Sequence, residues 1–424
     1  MTKPPAPEAP PTPIGRNVRL MGLTSLFTDI SSEMIYPLIQ AFISMVLAAR
    51  RALIGPLLGL IEGVAESTAA LLKVYAGYYS DRIRKRKALA IGGYGLSALS
   101  KPLFFLGGFG WGFVLLARFA DRIGKGIRTA PRDALIAEST PPGAQGRAYG
   151  FHRAMDFGGA TVGALIAWAV CLKFLDPRTG NLRDLPAFYL LFGISIVPAA
   201  IGLLFLFGIR EPRAAADAPG RPRPRPNLDV RKYDRRLRIF FLAQALFTLG
   251  NSSNQFLLLR TMTLGQTLSG AILMYIVFNL TTTVLATAFG SLSDRVGRRR
   301  LLAAGYALYA VLYAAFGILP ADRPALLWGF WILYGVYYAM TEGVEKALVA
   351  DLAPPDSRAT ALGVYHTIVG IGLLPASLLA GLLLTLHPGA PFGFGGGLAA
   401  AAASLIGVGL RTPAGATAAR QSVK

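Results

Sequence analysis

The 424 residues are 53% hydrophobic and only 15% charged, with a mean hydropathy of +0.49. Soluble globular chains carry about 25% charged residues, so the polar surface needed to keep this chain in water is missing. A single cysteine, Cys171, excludes an internal disulfide and any multi-cysteine metal site, and His152, His366 and His387 stand far apart, so neither metal nor cofactor is expected.

In chain order, residues 1–15 form a proline-rich tail without the apolar core of a cleaved signal. Twelve apolar stretches follow, each long enough to cross about 30 Å of hydrocarbon as helix: 18–47, 53–76, 88–109, 111–138, 147–174, 186–209, 237–262, 267–290, 301–320, 324–351, 358–386 and 392–410. Helices 4, 5, 10 and 11 are the most interrupted by charges or glycines. Between the sixth and seventh lies a basic linker, 210–236, whose Arg221-Pro222-Arg223-Pro224-Arg225-Pro226 run reads as extended chain. The organisation is therefore a tail (1–15), a first six-helix bundle (16–209), the linker (210–236), a second bundle (237–411) and a tail (412–424).

The net charge of +21 is explained by topology rather than by nucleic acid. With the N-terminus inside, 27 basic residues fall on cytoplasmic segments, 7 on outside loops and 9 within helices. Basic residues are retained on the cytoplasmic side, so both termini are expected in the cytoplasm of a multi-pass protein of the inner membrane.

The two halves repeat. At an offset of 213 residues, Gly77, Ser80, Asp81 and Arg82 match Gly290, Ser293, Asp294 and Arg295; Glu138 later matches Asp351, and Gly150 matches Gly363. At these residues the chain resembles the major facilitator superfamily. That family's G-x-x-x-D-R-x-G-R-[RK] signature is met in full by Gly290–Arg299, and by Gly77–Arg86 except for Arg84 in place of the second glycine and Lys85 in place of the arginine after it. The resemblance implies an all-α fold of twelve transmembrane helices in two pseudo-symmetric six-helix bundles. It also implies a conformational latch at Gly77, Asp81, Arg82, Gly290, Asp294 and Arg295, with a proton as the default coupling ion. A helix 4 pattern of the family is met at Arg118, Gly124 and Gly126, with Asp121 and Arg122 at positions that depart from it. Gly159, Gly163 and Ala167 form a small-residue face on helix 5, but Ala164 stands where an antiporter pattern has proline.

Charge then selects candidate site residues. At about 100° per residue, Arg118, Arg122, Lys125, Arg128 and Arg132 form one stripe on helix 4. It must face a wet cavity or buried acids, because a charge near the bilayer centre costs at least ~2.5 kcal/mol. Helix 1 presents Ser25, Asp29, Ser32, Glu33, Tyr36 and Gln40 on one face. The superfamily lines its cavity with helices 1, 4, 7 and 10, which adds Asn251, Asn254 and Gln255 from helix 7 and Tyr334, Tyr338, Glu342 and Glu345 from helix 10. Lys73 with Glu66 and Arg153 with Asp156 are the structural ion pairs suggested by spacing.

The resulting expectation is a proton-coupled secondary transporter of a small anionic solute, acting by alternating access as a single chain. Arg118, Arg122, Lys125, Arg128, Tyr36, Asn251, Asn254, Tyr338 and Glu342 are the substrate-site candidates. Asp29 and Glu33 are the first candidates for proton coupling, and Glu62 with Glu66 the second. The alternative within transport is multidrug or amphipathic-cation efflux. A receptor or membrane-embedded enzyme fits less well, because no nucleophile–base constellation and no G-x-x-x-x-G-K-[ST] nucleotide motif is visible.

Overall fold

The computed structural model describes residues 14–83, 85–141, 145–211, 229–320, 323–354 and 358–410, without the side chains of residues 48, 81, 82, 145–147, 150, 294, 358 and 359. Both terminal tails, most of the linker and the side chains of Asp81, Arg82 and Asp294 thus lie outside the described residues. Twelve spans are present in two pseudo-symmetric groups of six. Span 1 runs Arg16–Ile35, turns through a 3-10 segment at Tyr36–Leu38 and resumes as Ile39–Val46. Span 2 is Ile54–Ile83, span 3 is Arg86–Leu99 with the 3-10 extension Lys101–Phe109, span 4 is Trp111–Glu138, span 5 is Gln145–Phe174 and span 6 is Leu185–Phe207. Span 7 is Arg235–Gly250 followed by Asn254–Thr263. Spans 8 to 12 are Leu268–Val296, Arg298–Ile318, Leu326–Leu352, Arg358–Leu386 and Ala390–Gly409.

Local chemistry explains the interruptions. Pro37 has no N–H to donate to the preceding turn, so span 1 changes pitch there. In span 7 Asn251 leaves helical geometry and the helix restarts behind Ser253, whose hydroxyl accepts the Gln255 N–H. The repeat offset carries Leu38 onto Asn251, so the breaks in spans 1 and 7 are repeat-related. A similar ion pair stands in each half: Arg86–Glu138 joins span 3 to span 4, and Arg298–Asp351 joins span 9 to span 10, each at 2.8 Å, with the acids at the repeat offset and the arginines one residue out of register.

Among the described residues, seven spans (3, 5, 6, 8, 9, 11 and 12) are long and apolar enough to cross a membrane on composition alone. The other five are spans 1, 2, 4, 7 and 10. These carry the substrate-site and proton-coupling candidates, whereas the latch candidates Gly290 and Arg295 lie on span 8, which with spans 5 and 10 lines the cavity.

Small residues set the helix contacts, as expected where packing rather than water exclusion drives association. Gly159 and Gly163 rest against the backbone of Leu26 and Ile30 in span 1. Gly55 and Gly59 of span 2 approach Gly381 and Ser377 of span 11 so closely that an added Cβ would overlap backbone carbonyls. This second contact joins the two halves.

We call the face joining spans 2 and 3, and spans 8 and 9, the basic face. The halves are closed toward the opposite face. There Gln255 Nε2 donates to the Tyr36 carbonyl at 2.6 Å, Gln40 Nε2 reaches Met262 Sδ at 3.2 Å, and the Leu268 N–H donates to the Gly180 carbonyl at 2.7 Å. Toward the basic face they part around a cavity of about 410 Å³ between spans 5, 8 and 10. Arg153–Glu342, at 2.9 Å, is the one hydrogen-bonded link between the halves on that side among the described residues.

Candidate functional site

The span 4 stripe faces the acids of spans 1 and 2 and the polar face of span 3. Arg118 donates from Nε and Nη2 to both oxygens of Glu62, at 2.9 Å each, and its guanidinium lies 5.2 Å from the Tyr36 ring centre. Glu62 is fully buried and also accepts from Ser253 of the second half at 3.1 Å. Arg122 pairs with Glu66 at 3.0 Å. Lys101 pairs with Asp121 at 3.1 Å and donates to Ser32, while Ser97 donates to the same Asp121 carboxylate. Glu66 thus pairs with Arg122 instead of Lys73, and Arg153 crosses to Glu342 instead of holding Asp156. Both spacing-based pairs are overturned, because packing between spans brings partners closer than successive turns of one helix do.

The next two cations of the stripe lack carboxylate partners. Lys125 has no ion-pair or hydrogen-bond partner among the described residues. Arg128 has no carboxylate partner there, stacks on the Tyr94 ring at 4.2 Å, and buries an Nη1 without a hydrogen bond. Arg132 bonds Asp133 beside it and reaches Ser25. Asp29 forms no hydrogen bond among the described residues, but its electrostatic neighbours are Asp156, Arg128, Lys125 and Glu33. Glu33 accepts from the hydroxyl of Tyr275 in span 8 at 3.1 Å, a contact between halves.

The second half supplies an aromatic wall. Asn251 and Asn254 are engaged by the hydroxyls of Tyr309 and Tyr334, at 3.3 and 2.8 Å. Tyr338 and Glu342 line the cavity together with Arg153 and Lys346. Behind them Phe247 stacks on Tyr306 with centroids 3.8 Å apart, and Tyr309 on Tyr313 at 4.2 Å. Of the latch candidates, Gly290 also lines the cavity, Gly77 lies against Ala130, and Arg295 is exposed at the end of span 8.

Several polar groups were not singled out by sequence reasoning. Ser253 and Tyr275 link the halves, and a polar identity inside an apolar stretch was their only signal. Arg260 is clamped by the carbonyls of Phe316, Gly317 and Leu319, which holds span 7 to the end of span 9. Ser25 Oγ lies 2.9 Å from His152 Nε2, and His152 Nδ1 lies 3.5 Å from Asp156. That order matches a hydrolytic triad. However, Ser25 is buried and already shared with Tyr94 and Arg132, which makes it a junction of spans 1, 3, 4 and 5.

Two repeated six-helix halves, closed at one face around a charged cavity that opens at the other, define a polytopic membrane transporter fold. The sequence pattern of the Major Facilitator Superfamily matches residues 21–265 and again 240–423, and the chain belongs to that family. It is 34% identical over 392 residues to an uncharacterised MFS-type transporter of Methanocaldococcus jannaschii, covering 91% of this chain and 93% of that one. A 118-residue stretch, 27% of this chain and 23% of the relative, is 34% identical to the multidrug efflux pump LfrA of Mycolicibacterium smegmatis. The fold matches the solved D-xylose-proton symporter with a TM-score of 0.72 at 17% identity, over 92% of this chain and 96% of that one.

Proposed function

We propose that this chain carries a small anionic solute across the cytoplasmic membrane by alternating access, driven by protons, with the basic face and both termini in the cytoplasm. The observation that carries the reading is the division of span 4. Arg118 and Arg122 are matched by Glu62 and Glu66, whereas Lys125 and Arg128 have no carboxylate partner among the described residues. A solute anion supplies the missing counter-charge. The repeat-related breaks in spans 1 and 7 support a site between the halves, since discontinuous helices border the substrate sites of many transporters.

Thermal-shift and uptake screening of the purified, reconstituted chain against organic anions and cations identifies the solute. Lys125→Gln and Arg128→Gln then each raise its KM about tenfold with little change in melting temperature, because a hydrogen bond to a charged group is worth about 1.5–3 kcal/mol and 1.4 kcal/mol is a factor of ten. A hydrophobic cation that binds better after these changes overturns the anion reading. Multidrug or amphipathic-cation efflux is the second reading. It is favoured by the aromatic wall, by the cavity-lining Glu342 and by the partial similarity to an efflux pump.

The orientation rests on the 27 to 7 division of basic residues. In a Cys171→Ser background, an impermeant thiol reagent on intact cells labels a cysteine placed at Ala321 and spares one at Ala215. The reverse labelling inverts the topology.

A further inference from the structure

The charged residues of the spans lie mostly in the first half, but the second half holds a buried carboxylate of its own. Glu345, on span 10, is 7% exposed. It lies among Gln244 of span 7, Tyr306 of span 9 and Tyr365 of span 11, all within one six-helix group. The Tyr306 hydroxyl is 2.8 Å from Glu345 Oε1, and Tyr365 donates to Oε2. The other titratable or charged groups that act on this cluster are Tyr337, Glu342 and Lys346, all on span 10. Glu342 is paired with Arg153, and Lys346 is exposed toward the cavity. No lysine or arginine stands within ion-pair distance of Glu345 among the described residues. An ionised carboxylate in this setting lacks the cation that makes a buried charge tolerable.

Counting hydrogens leads to the same conclusion. Tyr306 has one hydroxyl proton, yet its oxygen lies 2.7 Å from Gln244 Oε1 and 2.8 Å from Glu345 Oε1. If both neighbours are acceptors, one contact has no hydrogen. With a proton on Glu345, its O–H donates to Tyr306, Tyr306 donates to Gln244, and every contact is filled. This orientation of Gln244 also lets its Nε2 point to Thr248. An overturned amide would instead donate to Tyr306 and free it for an ionised carboxylate, so the proton and the amide orientation stand together.

We propose that Glu345 is a proton-binding site of the second half, loaded when the halves rock open toward the opposite face and unloaded to cavity water while the cavity is open at the basic face. The site stands on this geometry, and its use in coupling rests on the proton-driven reading above. The step is a plain ionisation, in which the Glu345 carboxyl becomes a carboxylate and the proton leaves to water on the cavity side, where Glu342 and Lys346 stand.

The test uses the full chain in lipid nanodiscs with protons as the only ligand, read by infrared difference spectroscopy against pH. The parent protein shows a protonated-carboxyl carbonyl band that fades as pH rises. Glu345→Gln removes that band, and Tyr306→Phe and Tyr365→Phe each shift it by deleting a hydrogen-bond partner. An unchanged spectrum in Glu345→Gln overturns the site. If that variant does not fold, an unmoved band in both tyrosine variants overturns it equally. A band that is lost with Glu345 in a protein whose solute accumulation ignores an imposed pH gradient overturns the coupling reading and leaves the proton site standing.

Discussion

Asp29→Asn or Glu33→Gln abolishes pH-gradient-driven accumulation of the solute in proteoliposomes and leaves solute exchange across the membrane close to the parent rate. Arginine stays protonated at any pH a cell meets, so the arginines of span 4 cannot shuttle the driving proton. In the proton-driven reading a carboxylate does so, and the packing ranks the four candidates of the first half. Glu62 already gives both oxygens to Arg118, and Glu66 is held by Arg122, so a proton reaches either only by displacing a guanidinium. Asp29 has no hydrogen-bond partner among the described residues and lies within electrostatic range of Lys125 and Arg128, where the solute is proposed to sit. Glu33 bonds Tyr275 across the halves, a contact of the state open at the basic face. A group whose contacts differ between the two states can bias them, whereas one bound equally in both cannot. Normal accumulation and normal pH dependence in both single variants would move the driving proton elsewhere or assign the work to another ion.

The largest stability loss is expected at the other end of the stripe. Glu62→Ala leaves the buried Arg118 guanidinium with only the longer 3.7 Å contact to Glu66, and removing one member of a buried pair costs about 3–5 kcal/mol. The variant should express poorly and melt far below the parent. Replacing the pair together, with Glu62→Leu and Arg118→Met, should recover most of the loss, since apolar residues of similar volume often substitute for a buried pair at little cost. Ser253→Ala, which removes one hydrogen bond to Glu62, should cost only about 1 kcal/mol. Melting curves in detergent, read by intrinsic fluorescence, separate the three. If Glu62→Ala melts like the parent, the pair is not structural and Arg118 returns to the set of ligand-binding cations.

Both results turn on partner choice, which was only half visible in the sequence. That the span 4 cations must face acids or water followed from the cost of a charge in hydrocarbon, and the acids of spans 1 and 2 were identified on that ground. Which acid meets which cation was misread for Lys73 and for Arg153. Glu66 and Lys73 share a helix but stand seven residues apart, about 10 Å along the axis at 1.5 Å per residue, whereas Arg122 reaches Glu66 at 3.0 Å from a neighbouring span. Arg153 finds Glu342 in the opposite half, 189 residues away.

The sequence by itself determined the class of molecule, the twelve spans and the duplication. Each of these is set by short-range properties: about 20 apolar residues to cross a bilayer, basic residues between spans, and a repeat held at one offset. Only the tertiary structure decided which face is closed, which cations remain unpaired, and that Glu345 meets Tyr306, Tyr365 and Gln244. These depend on how closely helices pack, down to backbone contact at Gly55 and Gly59. A hydrogen bond distinguishes partners within a few tenths of an ångström, and spacing along one helix holds no information about its neighbours at that scale.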